Sequence, residues 1–523
     1  MQNICYIKTE NQASVAKRLC PGFPSQSRRF DSGHSLQFAV APGFIFRVFF
    51  MSKTGVMEMM DSLYNAVCRI NGYLSDYVLI FLLVGAGVYF SIQTRFVQIR
   101  CFREGWRKAF GNFSLHGKSS GSGLSPFQAL ATAVAAQVGT GNIVGAAGAI
   151  LTGGPGAIFW MWVVAFFGMA TIYAEAVLAQ HTRVQGSDGT FHGGPVYYIK
   201  KAFPGRFGSF LAVFFAIAIT VALGFMGCMV QANGIGETCS NAFGVPSWMI
   251  GIIIALLATV IFIGGISRIA SVTEKLVPVM AIIYLIGGVL VLIARIEYLP
   301  QTFGMIFKYA FMPDALIGGG FGFALKTAIS QGVKRGLFSN EAGMGSTPHA
   351  HAAANVARPH DQGVVAMIGL FIDTAVVLTM TALIIISTIY VGDGPLANAN
   401  GSNYSELLAS CNLSKTNLVQ VAVASVSTAG VGNIFVAVCL LFFAFSTIIS
   451  WNYFGKINFQ YLFGSRWVKL YSLLSVVAIF GGTLVKNDLV WELQDMFNQL
   501  MVLPNVMALT VLAPIVAAAA WKK

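Results

Sequence analysis

The chain is short of charge: Asp, Glu, Lys and Arg make up 10% of its 523 residues, whereas a soluble domain carries roughly 25%. That shortage excludes a soluble globular protein, and a hydrophobic fraction of 56% places the chain among polytopic membrane proteins. Acidic residues are scarcest, 20 against 33 basic, for a net charge of +13. In a soluble protein this imbalance suggests nucleic acid, but here the basic residues fall in alternate loops, as the positive-inside rule requires. No nucleic-acid partner is expected. The eight cysteines form no CxxC pair and no metal spacing, which argues against a zinc module. Cys68, Cys228 and Cys439 read as small core residues, and Cys239 with Cys411 is the one candidate bridge. No GxxxxGK[ST] loop is present, so ATP hydrolysis by a P-loop is not an available energy source. HExxH is also missing, and neither Asp373 nor Glu341 has an obvious catalytic partner in the sequence. A membrane-embedded enzyme is therefore disfavoured.

What is abundant is the apolar run of bilayer length. Eleven occur, near 74–92, 124–151, 155–180, 207–232, 247–264, 276–295, 316–345, 363–392, 428–454, 468–486 and 500–520, each near the roughly 20 residues that span hydrocarbon. Loop 93–123 carries Arg95, Arg100, Arg103, Arg107, Lys108 and Lys118, whereas loops 152–154 and 233–246 carry no Lys or Arg. This asymmetry puts the N-terminus outside and the C-terminus inside. Residues 1–56 do not fit the pattern, being basic without a signal-type apolar stretch. They read as a non-native or disordered extension, with Met51 or Met57 as the natural start. Residues 57–523 read as one transmembrane domain.

Two stretches break the apolar pattern. The first, Ala135-Ala136-Gln137-Val138-Gly139-Thr140-Gly141-Asn142-Ile143-Val144-Gly145, puts glycines and amides inside the second run. A segment that gives up helical hydrogen bonds at membrane depth must line an enclosed site, so a broken helix around a small polar solute is expected. Close helix packing through small residues is the competing explanation. The second stretch, Gln331 to Ser346, is again glycine-rich and polar, five spans later. That repetition is the sign of two inverted halves with a site between them.

The remaining polar residues at depth are few. Glu175 lies close to His181 and Arg183, which suggests an interface ion pair, and Asp373 is expected to pair with Lys326 or Arg335. Lys334, Arg335 and Glu341 are candidates for internal ion pairs. His349 and His351 lack a third ligand and are not read as a metal site. Ser446, Thr447 and Ser450 lie on one side of the ninth run. There they are suited either to a hard cation or to bonding their own helix carbonyls.

The segments Val138–Gly145 and Gly336–Ala352, the second running Gly-Leu-Phe-Ser-Asn-Glu-Ala-Gly-Met-Gly-Ser-Thr-Pro-His-Ala-His-Ala, resemble the signatures of the alanine or glycine:cation symporter family. The similarity covers roughly residues 60–520. It implies an all-α protein with a leucine-transporter-type inverted-repeat core, repeats near 124–297 and 316–520, and one extra N-terminal helix. It also implies that Gln137, Thr140, Gly141, Ser339, Asn340 and Gly343 meet the substrate, with Trp451 walling the pocket. Sodium would be held by Ala135, Val138, Asn142, Ser446 and Thr447. The function implied is sodium-driven symport of alanine or glycine through the bacterial cytoplasmic membrane, by a monomer in lipid and without an organic cofactor. Proton coupling through Glu175 or Asp373 is the alternative.

Overall fold

The computed structural model describes residues 53–111, 123–185, 191–318, 320–484 and 488–521. The chain divides into two units, Met1–Met60 and Asp61–Lys523. Of the first, only the stretch from residue 53 is described, so the expectations for the N-terminal extension lie outside the described residues. The second unit is almost wholly helical. Its sole sheet among the described residues is a two-stranded hairpin pairing Val184–Gln185 with Phe191–His192.

The principal helices are α1 (Met60–Gln93), α2 (Pro126–Gln137), α3 (Gly141–Gly153), α4 (Ala157–Thr182) and α5 (Arg206–Phe243). They continue with α6 (Ser247–Ile263), α7 (Gly265–Ala294), α8 (Phe321–Asn340), α9 (Pro348–Ala352) and α10 (Pro359–Tyr390). The last are α11 (Ala429–Phe463), α12 (Val468–Gly482), α13 (Asp488–Val511) and α14 (Ala513–Trp521). Each of the eleven apolar runs contains helix. Among the described residues, six single helices are long and apolar enough to cross a bilayer, and the bent pairs α2–α3 and α13–α14 raise this to eight. The runs at 247–264 and 468–486 give shorter helices of 17 and 15 residues. α8 has the length to span, at 20 residues, but includes Lys326, Lys334 and Arg335.

α2 starts where the sequence indicates. Ser125 Oγ accepts a hydrogen bond from Gln128 N and Gln128 Oε1 accepts one from Ser125 N, a capping box in front of Pro126 at the first helical position. Such reciprocal caps satisfy two otherwise orphaned amides. α2 is pinned to α7 by Gln128 Nε2 donating to Glu274 (3.0 Å) and by the Thr132–Thr273 hydroxyl pair (3.2 Å).

Five expectations are corrected. Residues 233–243 continue α5 rather than forming an external loop, and Cys239 is buried in that helix. Cys239 and Cys411 are both free thiols, with no bridge between them. Lys326 pairs with Asp76 (2.7 Å) and Arg335 with Asp495 (3.2 Å), so neither serves Asp373. Glu175 is not at an interface: it is fully buried, while Arg183 donates instead to the carbonyls of Ala352 and Ala354. Of the three residues expected in ion pairs, Lys334 and Arg335 both reach Asp495, but Glu341 binds neither.

Candidate functional site

The site is built from two helix breaks. At the first, Val138 leaves helical geometry (φ −81°, ψ 92°), and α3 departs from α2 at 44°. The freed backbone groups each find a side chain. Asn142 Oδ1 accepts from Gly139 N (3.0 Å), and Gln231 Oε1 from α5 accepts from Thr140 N (3.0 Å). Thr447 Oγ1 donates toward Ala135 O (2.9 Å) and Val138 O (3.3 Å), and Ser446 Oγ lies 3.4 Å from Ala135 O. Ala135 O, Val138 O, Ser446 Oγ and Thr447 Oγ1 thus lie together, while both hydroxyls also bond the Phe443 carbonyl of their own helix, at 2.8 and 3.1 Å. Ser450, on the same side of α11, has a buried hydroxyl with no partner among the described residues. Asn142 stands apart, its amide turned the other way, toward α10.

Gly139 is required by this crossing. A Cβ there would fall 2.4 Å from Thr447 Oγ1 and 3.0 Å from Gln231 Oε1, so any side chain must push α11 or α5 away. Gly139→Ala is expected to abolish uptake while membrane insertion persists. Surface labelling alongside transport checks this, and normal uptake by the variant would show that α11 yields freely.

The second break follows α8. Glu341 takes a left-handed conformation (φ 59°), Gly343 and Gly345 follow at φ 86° and 81°, and helix resumes at Pro348. A non-glycine residue at positive φ is uncommon and points to surrounding structure that holds it. Here the holders are specific. Glu341 accepts the Trp451 indole N–H (2.5 Å) and bonds the Ser346 hydroxyl. Glu175 Oε1 accepts from Gly345 N (3.0 Å) and from Asn505 Nδ2 (2.7 Å), and Asn505 also donates to Gly343 O (2.9 Å). His349 lies 2.8 Å from Asn458 Nδ2 and His351 2.8 Å from Gln362 Nε2, so the two rings serve different partners.

Asp373 joins the two breaks. It lies in a π-helical stretch, Phe371–Leu378, within α10, and such widened turns recur at functional positions. Its carboxylate accepts from Asn142 Nδ2 (2.6 Å), from Ser339 Oγ (3.1 Å to each oxygen) and from Thr374 Oγ1 (2.8 Å). Gln137 Nε2 adds a second link, donating to Asn340 O at 2.8 Å. Glu175, Glu341 and Asp373 are all fully buried, and none has an ion-pair partner among the described residues. Buried charges are ordinarily paired or bound to cations.

Of the sequence candidates, Gln137, Thr140, Gly141, Ser339, Asn340 and Trp451 all lie at or against the breaks. Gln137 Oε1 and Thr140 Oγ1 have no hydrogen-bond partner among the described residues, nor has Gln231 Nε2 beside them. Gly343 is placed differently: a Cβ there would meet Leu83 of α1 and Thr171 of α4, away from the first break. Trp451 is 1% exposed, and its ring packs on Gly227 and edge-on to Phe338, so an interfacial aromatic belt is ruled out for it. The sequence reading missed Gln231, Asn505 and the pairing of Asp373. Gln231 carried a signal, an amide one helical turn beyond Gly227, but its target on another helix was not encoded locally.

Elsewhere, Cys101, Glu104 and His360 bring ligand atoms within 4.8 Å of one another. Glu104 is already engaged by Lys108 (3.5 Å) and His360 by Tyr173 (2.8 Å), which accounts for the cluster without a metal.

Residues 60–522 match the family described as the sodium:alanine symporter family. Among curated proteins, the chain is 38% identical over 454 residues to a sodium/alanine symporter of Methanococcus maripaludis, covering 86% of this chain and 95% of that one. It is 41% identical over 451 residues to a putative sodium/proton-dependent alanine carrier of Bacillus subtilis, covering 86% and 90%. A probable sodium/glutamine symporter of the same organism is 38% identical over 461 residues, covering 88% and 90%. Among solved structures, MhsT in complex with L-phenylalanine superposes with a TM-score of 0.52 at 13% identity, covering 77% of this chain and 99% of that one. A manganese transporter of Eremococcus coleocola gives 0.51 at 13%, covering 75% and 84%. At such identities these likenesses speak to the fold alone, the leucine-transporter-type core.

Proposed function

The chain belongs to the sodium:alanine symporter family, is an amino-acid transporter rather than an enzyme, and we propose that it couples sodium entry to uptake of a small neutral amino acid, alanine or glycine. The observation that carries the coupling ion is the convergence of Ala135 O, Val138 O, Ser446 Oγ and Thr447 Oγ1 at the first break. Oxygen ligands of this kind suit a hard cation, and unwound carbonyls beside a half-helix are where transporters of inverted-repeat design place one. The substrate carboxylate is received at the N-terminal end of α3, where backbone dipoles favour negative charge. Its ammonium group is drawn to the carboxylate of Asp373, which has no ion-pair partner among the described residues, and to the amide oxygen of Gln137, which has no hydrogen-bond partner among them. Trp451 limits side-chain size, and alternating access moves the two halves about the breaks. The proposed setting is the bacterial cytoplasmic membrane, with a single chain sufficient for transport.

Proteoliposomes test this reading. Labelled alanine or glycine is expected to accumulate only under an inward sodium gradient, without dependence on ATP. Accumulation driven equally by an inward proton gradient in sodium-free buffer would overturn sodium coupling in favour of a proton carried on Asp373 or Glu175. Within the same assay, Thr447→Val keeps the shape and removes one ligand oxygen. The sodium concentration for half-maximal uptake should rise about tenfold, corresponding to roughly one lost hydrogen-bond-sized interaction. An unchanged sodium dependence would remove Thr447 from the ion site.

A further inference from the structure

On the far side of α11 from the breaks lies a second feature with polar chemistry. A cavity of about 450 Å³ opens between α6, α11 and α12, lined by Thr259, Phe262, Ile263, Lys456, Lys469, Ser472, Leu473 and Val476 among others. Its walls are apolar, yet two lysines and two hydroxyls enter it. Neither lysine has an ion-pair partner among the described residues. The sequence explains why: no Asp or Glu occurs from residue 407 to 487, nor from 238 to 273, so none of the three helices offers a carboxylate to them. Lys456 is half-buried and Lys469 exposed, and a cation partly drawn from water without a partner is costly.

The depth of the cavity is marked by its neighbours. Lys456 stands about 40 Å from the start of α11, beyond the roughly 30 Å hydrocarbon thickness. Trp467 is half exposed with Arg466 over its ring at 5.9 Å, the combination found at a membrane–water interface. Ile263 and Leu473, 80% and 60% exposed, extend the apolar wall toward the bilayer. Cationic heads at the interface and a hydrocarbon groove below them match one occupant in both charge and shape.

We propose that this cavity binds an anionic phospholipid, with its phosphodiester against Lys456 and Lys469, its glycerol oxygens near Ser472 and Thr259, and an acyl chain along Phe262, Leu473 and Val476. This does not depend on the transported solute. Because α11 also carries Ser446, Thr447 and Trp451, the lipid sits on a helix of the transport site.

The test uses the full chain, purified and washed free of lipid in detergent, then offered phosphatidylglycerol or phosphatidylcholine, with retained adducts counted by native mass spectrometry. Phosphatidylglycerol is expected to be retained over phosphatidylcholine by about tenfold or more, because the choline cation of the latter offsets the attraction of its phosphodiester for the two lysines. The double variant Lys456→Gln, Lys469→Gln should lose that preference, and Lys456→Arg, Lys469→Arg should keep it at normal thermal stability. Equal retention of the two lipids, or an undiminished preference in the glutamine variant, overturns the proposal. Displacement of phosphatidylglycerol by glycerol phosphate alone would also overturn it, since the site would then recognise a free phosphate rather than a lipid.

Discussion

Asp373→Asn is expected to lower sodium-driven uptake by about a hundredfold at normal protein abundance. The carboxylate receives Asn142, Ser339 and Thr374 and has no cationic side chain among the described residues to balance it. A hydrogen bond to a charged group contributes about 1.5–3 kcal/mol, and each 1.4 kcal/mol is about tenfold. Removing the charge weakens two or more such bonds together with the attraction for a bound cation or ammonium group. Asparagine keeps the shape, and the hydroxyls of Ser339 and Thr374 can rotate to meet an amide, so the fold is retained. Initial uptake rates against sodium and against alanine, normalised to surface abundance, provide the measurement. A variant within about threefold of the parent, less than 1 kcal/mol, would make Asp373 a structural acceptor only. A raised half-maximal alanine concentration with unchanged sodium dependence assigns it to the substrate; the converse assigns it to the ion.

Trp451→Ala is expected to cut alanine or glycine uptake about tenfold or more and to let valine and leucine compete. The indole is wholly enclosed, against Gly227 on α5 and Phe338 on α8, with its N–H on Glu341. Truncating a buried Trp costs about 3–5 kcal/mol where the site cannot collapse. It also leaves Glu341 Oε1 without its donor, loosening the left-handed turn that opens the second break. One methylene in an apolar pocket is worth about 1–3 kcal/mol, so the new space widens preference rather than inverting it. Trp451→Phe separates the two contributions: it keeps most of the ring volume but drops the N–H, so it should retain selectivity while slowing transport. If Trp451→Ala transports normally and larger amino acids still fail to compete, Trp451 braces the helices without facing the solute.

Much of the architecture was legible from residue order. Hydropathy located apolar runs that each contain helix because bilayer length is a property of a single run, although only six to eight helices among the described residues are long and apolar enough to span. Glycines beside amides located both breaks, because backbone that leaves the helix at depth must be compensated nearby. Ser125 and Pro126 marked the start of α2 through local capping chemistry. What failed was partner choice. Glu175 looked like an interface residue because its sequence neighbours are basic, yet in the fold it holds the second break with Asn505, 330 positions away. Asp373 was matched to Lys326 or Arg335 on charge alone, but those cations go to Asp76 and Asp495. The Cys239–Cys411 bridge failed because α5 runs through Cys239 instead of ending before it.

Composition and periodicity by themselves determined that this protein lives in a membrane, that it is helical, and that two polar interruptions five spans apart form its centre. Its membership of a carrier family was also carried by short contiguous motifs. Tertiary structure alone decided which oxygens converge at the first break, that Gln231 and Asn505 satisfy freed backbone groups, and that Asp373 bridges the two breaks uncompensated by any cation among the described residues. The reason is physical. Helix formation and bilayer length are set by contacts within a few residues, whereas a buried polar group is satisfied by whichever helix packs against it, and that choice is made between segments hundreds of residues apart.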